Sequence, residues 1–141
     1  MAEAVRPGGW LLLEEADYGF STLTAEVADS SYSVFVSTFQ ALFGFLREKG
    51  ILDPYFGRKV RRLMEQLGYT DIVQEGWSRI VQGGEPYTRF TTITLQAAAK
   101  PMIVAGLLTQ EQYETVQRSL MNPSFSYPGP TVFSAWGRRP L

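Results

Sequence analysis

The stretch from Arg6 to Tyr18, RPGGWLLLEEADY, decides how this chain is read. Pro7-Gly8-Gly9 is turn chemistry, since proline fixes φ and glycine tolerates φ > 0. The run Trp10 to Leu13 that follows is apolar at every position, the pattern of a strand covered on both faces. A strand of that kind needs neighbours, so the chain is expected to open on a sheet element that belongs in the middle of a domain.

Composition narrows what such a sheet can serve. The chain has 141 residues, enough for one core, and its 45% hydrophobic and 19% charged residues match ordinary globular sequences rather than disordered ones. Length sets the expectation of a single domain over 1–141, which the resemblance described below makes a partial one. No apolar run approaches the roughly 20 residues that span a bilayer, and MAEAVRPGG lacks a signal layout, so the expected compartment is the cytosol with no membrane partner. A net charge of −1 gives no broad basic surface for nucleic acid. Cysteine and histidine are both absent, which excludes disulfides, thiolate or imidazole metal sites, and Ser-His-Asp or cysteine nucleophile chemistry.

Beyond the opening strand, EEADYGFSTLTAEVADSS reads as an irregular acidic loop, and a helix is predicted over 31–49. There Tyr32, Phe35, Phe39, Leu42, Phe43 and Leu46 recur at three- and four-residue intervals and Gly50 supplies a stop. The aromatic series Tyr32, Phe35, Phe39, Phe43 and Phe45 reads as core, because helix-period apolar residues face inward. Asp53-Pro54 opens a second helix with Phe56, Val60, Leu63, Met64 and Leu67 on one stripe and Arg58, Lys59, Arg61 and Arg62 on a solvated face. The segment Thr70 to Gln82 has strand composition. A helix over 87–105 must kink or divide at Pro101, and Thr109 with Gln112 forms a capping box for the next. A proline-rich turn and a strand from Thr131 to Trp136 close the chain, with Trp77 and Trp136 as core candidates.

These words in this order resemble a known family. RPGGWLLLEEADY resembles the turn and fifth strand of class I S-adenosylmethionine-dependent methyltransferases, and DPYFGRKVRRLMEQLGYTDI is similar to their following helix and sixth strand. RFTTITLQ, MIVAGLLTQEQYETVQRSLMNPSF and VFSAWGRRP are similar to the C-terminal third of a bacterial small-molecule branch. The resemblance runs from Arg6 to Pro140. It implies an α/β fold, the C-terminal half of a Rossmann-like methyltransferase, with a three-stranded mixed sheet whose last strand runs antiparallel between the other two, and four to five helices.

Site expectations follow from the same resemblance. Glu14, Glu15, Asp17 and Tyr18 are placed just past the end of the opening strand, where open α/β sheets bind ligands, and would line the pocket of a small-molecule acceptor. Tyr55 and Arg58 would belong to a lid over it. For the acids the competing reading is a solvated loop, and for Arg58 a solvated helix residue. The family's cofactor is S-adenosylmethionine, but the glycine-rich loop, ribose-binding acid and first four strands that hold it have no counterpart here. The chain alone is therefore expected to bind no cofactor and to carry no catalytic or metal-binding residue. Three roles stay open: the acceptor-side part of a methyltransferase, one half of a split enzyme, or a non-catalytic binding or dimerisation module. A bare strand edge further implies a homo-oligomer, with the opening strand or helix 31–49 at the contact.

Overall fold

The computed structural model describes residues 4–19 and 30–141, so most of the expected acidic loop, residues 20–29, lies outside the described part. The described chain is α/β, with four α-helices, a three-stranded sheet and a separate two-stranded sheet. It divides into two compact units, one made of residues 4–19, 54–78 and 130–141, the other of 30–53 and 79–129. Among the described residues no helix is long and apolar enough to cross a membrane.

In the first unit, strand β1 (Trp10–Asp17), helix α2 (Val60–Gln66), strand β2 (Thr70–Trp77) and the last strand, β5 (Thr131–Arg138), build the sheet. Its order is β1-β5-β2, with β5 antiparallel to both neighbours, so β1 and β2 point the same way. The expected three strands and the central, antiparallel position of the last one are therefore present. The register places Leu12 and Val73 on either side of Trp136, and Glu14 and Glu75 on either side of Ser134. Residues opposite one another share a face, so alternate residues define two distinct sheet surfaces.

One surface is packed. Leu11 and Ala135 meet Val60 and Met64 of α2 and Tyr69, with Leu13 and Ile72 at the margin. Helix α2 is seated there by the side chain of Gln74, which accepts from the Arg61 amide at 2.9 Å and donates to the Gly57 carbonyl at 3.0 Å. Arg61 lies on the exposed face, as expected, paired with Glu65 at 3.0 Å, and from there it also donates to the Ile72 carbonyl at 2.8 Å, so it ties helix to strand. The expected helix opening at Asp53-Pro54 is displaced: a 3₁₀ turn over Gly57–Lys59 precedes α2, with no side-chain cap. The displacement has a contact reason. A Cβ on Gly57 would stand 2.8 Å from the Glu15 carbonyl, so the chain lies directly on β1 at this point.

The other surface is open. Trp10 is 58%, Leu12 61% and Trp77 62% exposed. The expectation of an opening strand covered on both faces is thus corrected to a strand covered on one, and neither Trp77 nor the half-buried Trp136, which lies on the same face, is a core residue. The Pro7-Gly8-Gly9 turn is tied to the other end of the chain: Gly8 N–H donates to the Arg139 carbonyl at 2.9 Å and Arg139 N–H returns to the Gly9 carbonyl at 2.8 Å.

The second unit holds helices α1 (Ser30–Glu48), α3 (Pro86–Val104) and α4 (Gln110–Met121), and short strands β3 (Ile80–Gln82) and β4 (Ser126–Pro128). The predicted strand from Thr70 to Gln82 is two strands in different sheets, broken at Ser78-Arg79, and the predicted proline-rich turn contains β4. In α1, Tyr32, Phe35, Phe39 and Phe43 are buried. Phe35 meets Phe39, Phe125 and Tyr127 at ring separations of 4.6, 5.5 and 4.7 Å, so the aromatic series is core as expected except for Phe45, which is only half-buried and faces Lys49. Pro86 occupies the first turn of α3, and the helix runs as one element through Pro101, which lies in its last turn. The Thr109–Gln112 capping box forms, with both reciprocal hydrogen bonds present.

Candidate functional site

The carboxyl end of β1 concentrates most of the expected site residues, but in a different arrangement from a loop. Strand pairing continues to Asp17 opposite Thr131, so Glu14, Glu15 and Asp17 are strand residues and their side chains alternate between faces. Glu14 lies on the open face, where it accepts from the Ser134 hydroxyl at 2.7 Å. Glu15 and Asp17 lie on the packed face. The structure thus separates Glu14 from the other candidates and brings Asp17, Tyr18, Tyr55 and Arg58 together.

Asp17 is the centre of that group. Its side chain is 1% exposed, and Arg58 reaches it with a two-pronged contact, Nε to Oδ2 and Nη2 to Oδ1, each 2.6 Å. The Gly19 amide donates to the same Oδ1 at 2.9 Å, closing an Asx turn that bends the chain as it leaves the strand. Tyr18 N–H donates to the Pro54 carbonyl at 2.8 Å, which brings the returning chain alongside. The Arg58 guanidinium lies 5.1 Å from the centre of the Tyr55 ring, within cation–π range. A Cβ on Gly19 would overlap Arg58 Nη2 and come 3.0 Å from Asp17 Oδ1, so only glycine allows the fork to close there.

Electrostatics follow from this geometry. Burial pushes the Asp17 carboxyl up, but the hydrogen bonds from Arg58 and the Gly19 amide, with the Arg58 charge, outweigh it and hold the group below its ordinary value of 3.8. Arg58 is held above its ordinary value, chiefly by its hydrogen bond to Asp17. Asp17 is therefore a fixed anion and a poor general base. Burial, and after it the charge of Glu15, pushes the Tyr18 phenol up, so near neutral pH it stays protonated and can only donate or accept hydrogen bonds. Chemically the cluster can orient a ligand and anchor a loop; it holds no activated nucleophile.

Three participants were not singled out from the sequence. Gly19 had a usable signal, because Asp-x-Gly after a strand is an Asx-turn pattern. Gly57 and Gln74 had none, since their roles depend on which strand each one faces. Among the described residues no group of three metal-binding side chains converges.

S-adenosylmethionine, the cofactor that the family resemblance implies, needs backbone amides presented by a glycine-rich loop. The two double-glycine turns here direct theirs into the chain itself: Gly8 and Gly9 donate to Arg139 and Arg6, and Gly83 and Gly84 to Phe125 and Leu120. A Cβ on Gly83 would overlap the Asn122 carbonyl, so this glycine serves close packing. Neither double-glycine turn fits that cofactor. Comparison with protein-family models and with curated proteins found no match for the chain.

Proposed function

We propose that this chain is the acceptor-side part of a class I S-adenosylmethionine-dependent methyltransferase that acts on a small molecule in the cytosol. The observation that carries the reading is the strand order β1-β5-β2, with the chain's last strand inserted antiparallel between two strands that run parallel. A ladder of that kind is built late in the chain by one returning strand, and it matches what the sequence resemblance implies for the fifth, seventh and sixth strands of the family. The Asp17–Arg58 fork then has a role suited to an acceptor wall: it holds the exit of β1 and the turn before α2 against each other, with Tyr18 and Tyr55 beside it. Alignment of an acceptor is the larger part of what methyl transfer requires. On this reading the cofactor is held by other residues, on a longer form of this polypeptide or on a second one.

Calorimetry tests the proposal in two arms. The chain alone, titrated with S-adenosylmethionine, is expected to give no saturable heat, and a saturable isotherm would overturn the acceptor-side reading. Mixed with the polypeptide encoded immediately upstream, it is expected to bind S-adenosylmethionine and, with an acceptor, to release S-adenosylhomocysteine. Absence of binding and of turnover in the mixture as well would leave the chain as a non-catalytic module.

A further inference from the structure

A guanidinium carries N–H donors on more than one edge, and Arg58 uses only one edge on the protein. Nε–H and Nη2–H go to the buried Asp17 carboxylate. The remaining terminal nitrogen, Nη1, donates to no acceptor among the described residues, and the side chain is 53% exposed.

The unequal burial of the pair is informative. An ion pair that served only to anchor the turn would be equally effective with both partners hidden, but here Asp17 is 1% exposed and Arg58 is half in solvent. The arginine is held at one edge and presented at the other. Ordinary surface arginines lose side-chain freedom when they grip a ligand, whereas the fork to Asp17 and the Tyr55 ring, 5.1 Å away, have already fixed this one. Its place is the carboxyl end of β1, which runs parallel to β2, and open sheets with parallel strands take ligands beyond that end.

We propose that the outward edge of Arg58 holds an anionic group of the acceptor, a carboxylate or a phosphate, with Asp17 as the positioning residue behind it. This inference rests on the acceptor-side reading of the chain. A planar fork of N–H donors matches a pair of anionic oxygens, which a neutral amide or hydroxyl group does not supply. Asp17 balances the charge of Arg58, but Lys59 and Arg62 follow in the same segment, both exposed, and supply positive charge for the approaching anion. Phe56, beside Tyr55 in sequence and 37% exposed, offers apolar surface for the body of the acceptor.

The test titrates the unaltered chain with benzoate, phenyl phosphate and neutral benzamide, followed by NMR of the arginine Nε–H signals. The Arg58 Nε–H is bonded to Asp17, so its signal is set apart from those of solvated arginines. Either anion is expected to shift it saturably at millimolar concentration and to bind at least tenfold more tightly than benzamide. Arg58→Lys keeps the charge without the fork and is expected to weaken anion binding at least tenfold, whereas Arg62→Ala is expected to change it less than twofold. Equal binding of benzamide, no saturable shift of the Arg58 signal at tens of millimolar anion, or a loss in Arg62→Ala equal to that in Arg58→Lys would overturn the inference. The benzamide comparison needs no substitution, so it decides even if the lysine variant folds poorly. The two readings also fail separately. Anion binding at Arg58 without methyl transfer in the two-polypeptide mixture would sink the enzyme and keep the site, and transfer to an acceptor without an anionic group would sink the site and keep the enzyme.

Discussion

The two faces of the β1-β5-β2 sheet are made from the same strands and differ in almost every other respect. On one, Leu11, Ala135, Val60 and Met64 are at most 9% exposed, and each polar group at the margin, Asp17, Gln74 and Arg61, has a defined partner. On the other, Trp10, Leu12, Val73 and Trp77 are all at least 40% exposed, although they are as large and apolar a set as the packed one. Residue type therefore does not tell the faces apart; the presence of a helix on one of them does. The difference teaches that the sheet's stability in this chain comes from one layer, and that the open face has apolar surface available without contributing to it.

The sharpest way to break the comparison is to remove one large side chain from each face. Met64→Ala is expected to cost about 3 kcal/mol, since the residue is 1% exposed and its removal leaves a cavity between α2 and the sheet. Leu12→Ala and Trp77→Ala are expected to cost less than about 1 kcal/mol each. Urea unfolding followed by far-UV circular dichroism reads all three. A loss at Leu12 comparable to that at Met64 would show that the open face is covered in solution.

A smaller effect lies at the end of β1, where a buried carboxylate meets a cation whose side chain is 53% exposed. Arg58→Ala is expected to cost about 2 kcal/mol, because Asp17 loses both of its guanidinium bonds while keeping only the Gly19 amide, and solvent at the arginine limits the penalty. The pH dependence has a definite sign. The Asp17 carboxyl is held below its ordinary value, so its contribution is complete above pH 4 and is lost as the pH falls through the lowered value. Asp17→Asn is expected to flatten the stability profile below pH 4. If that variant kept the wild-type acid slope, the fork would not hold in solution.

How far the fold was legible in the sequence depends on the range of the contacts involved. Helix α1, the capping box of α4 and the final strand rest on period, caps and turn residues within a dozen positions of one another, and they occur where the pattern placed them. The end of β1 did not follow. Glu14, Glu15 and Asp17 look like loop residues because carboxylates are poor strand formers, yet β5 pairs with them from residues more than a hundred positions away. The same holds for the site: Asp17 and Arg58 were both named from the sequence, but their bonding and the separation of Glu14 from them follow from strand parity. The division of 70–82 into two strands was hidden because each half has its own distant partner, β5 for one and β4 for the other.

The smallest expected effect tests how the packed face is kept in register. Asp71 has φ of 52°, the left-handed region, at the point where β2 and β5 shift register between Thr70 and Val73. An irregularity there brings Ile72 over Gly137, where a Cβ would stand 2.9 Å from Ile72 Cγ1 and 3.0 Å from Met64 Cε. The bulge thus lets β5 pass beneath the α2 contact, and its cost falls on one aspartate backbone. Asp71→Gly removes the side-chain clash of the left-handed conformation and is expected to raise stability by about 0.5–1 kcal/mol, less any entropy lost by the more flexible unfolded chain. Asp71→Val is expected to lower it by a larger amount, since a β-branched side chain tolerates that φ poorly. The same urea titration reads both, and a stabilising valine would mean that β2 runs regularly and that Ile72 reaches the packed face without a bulge.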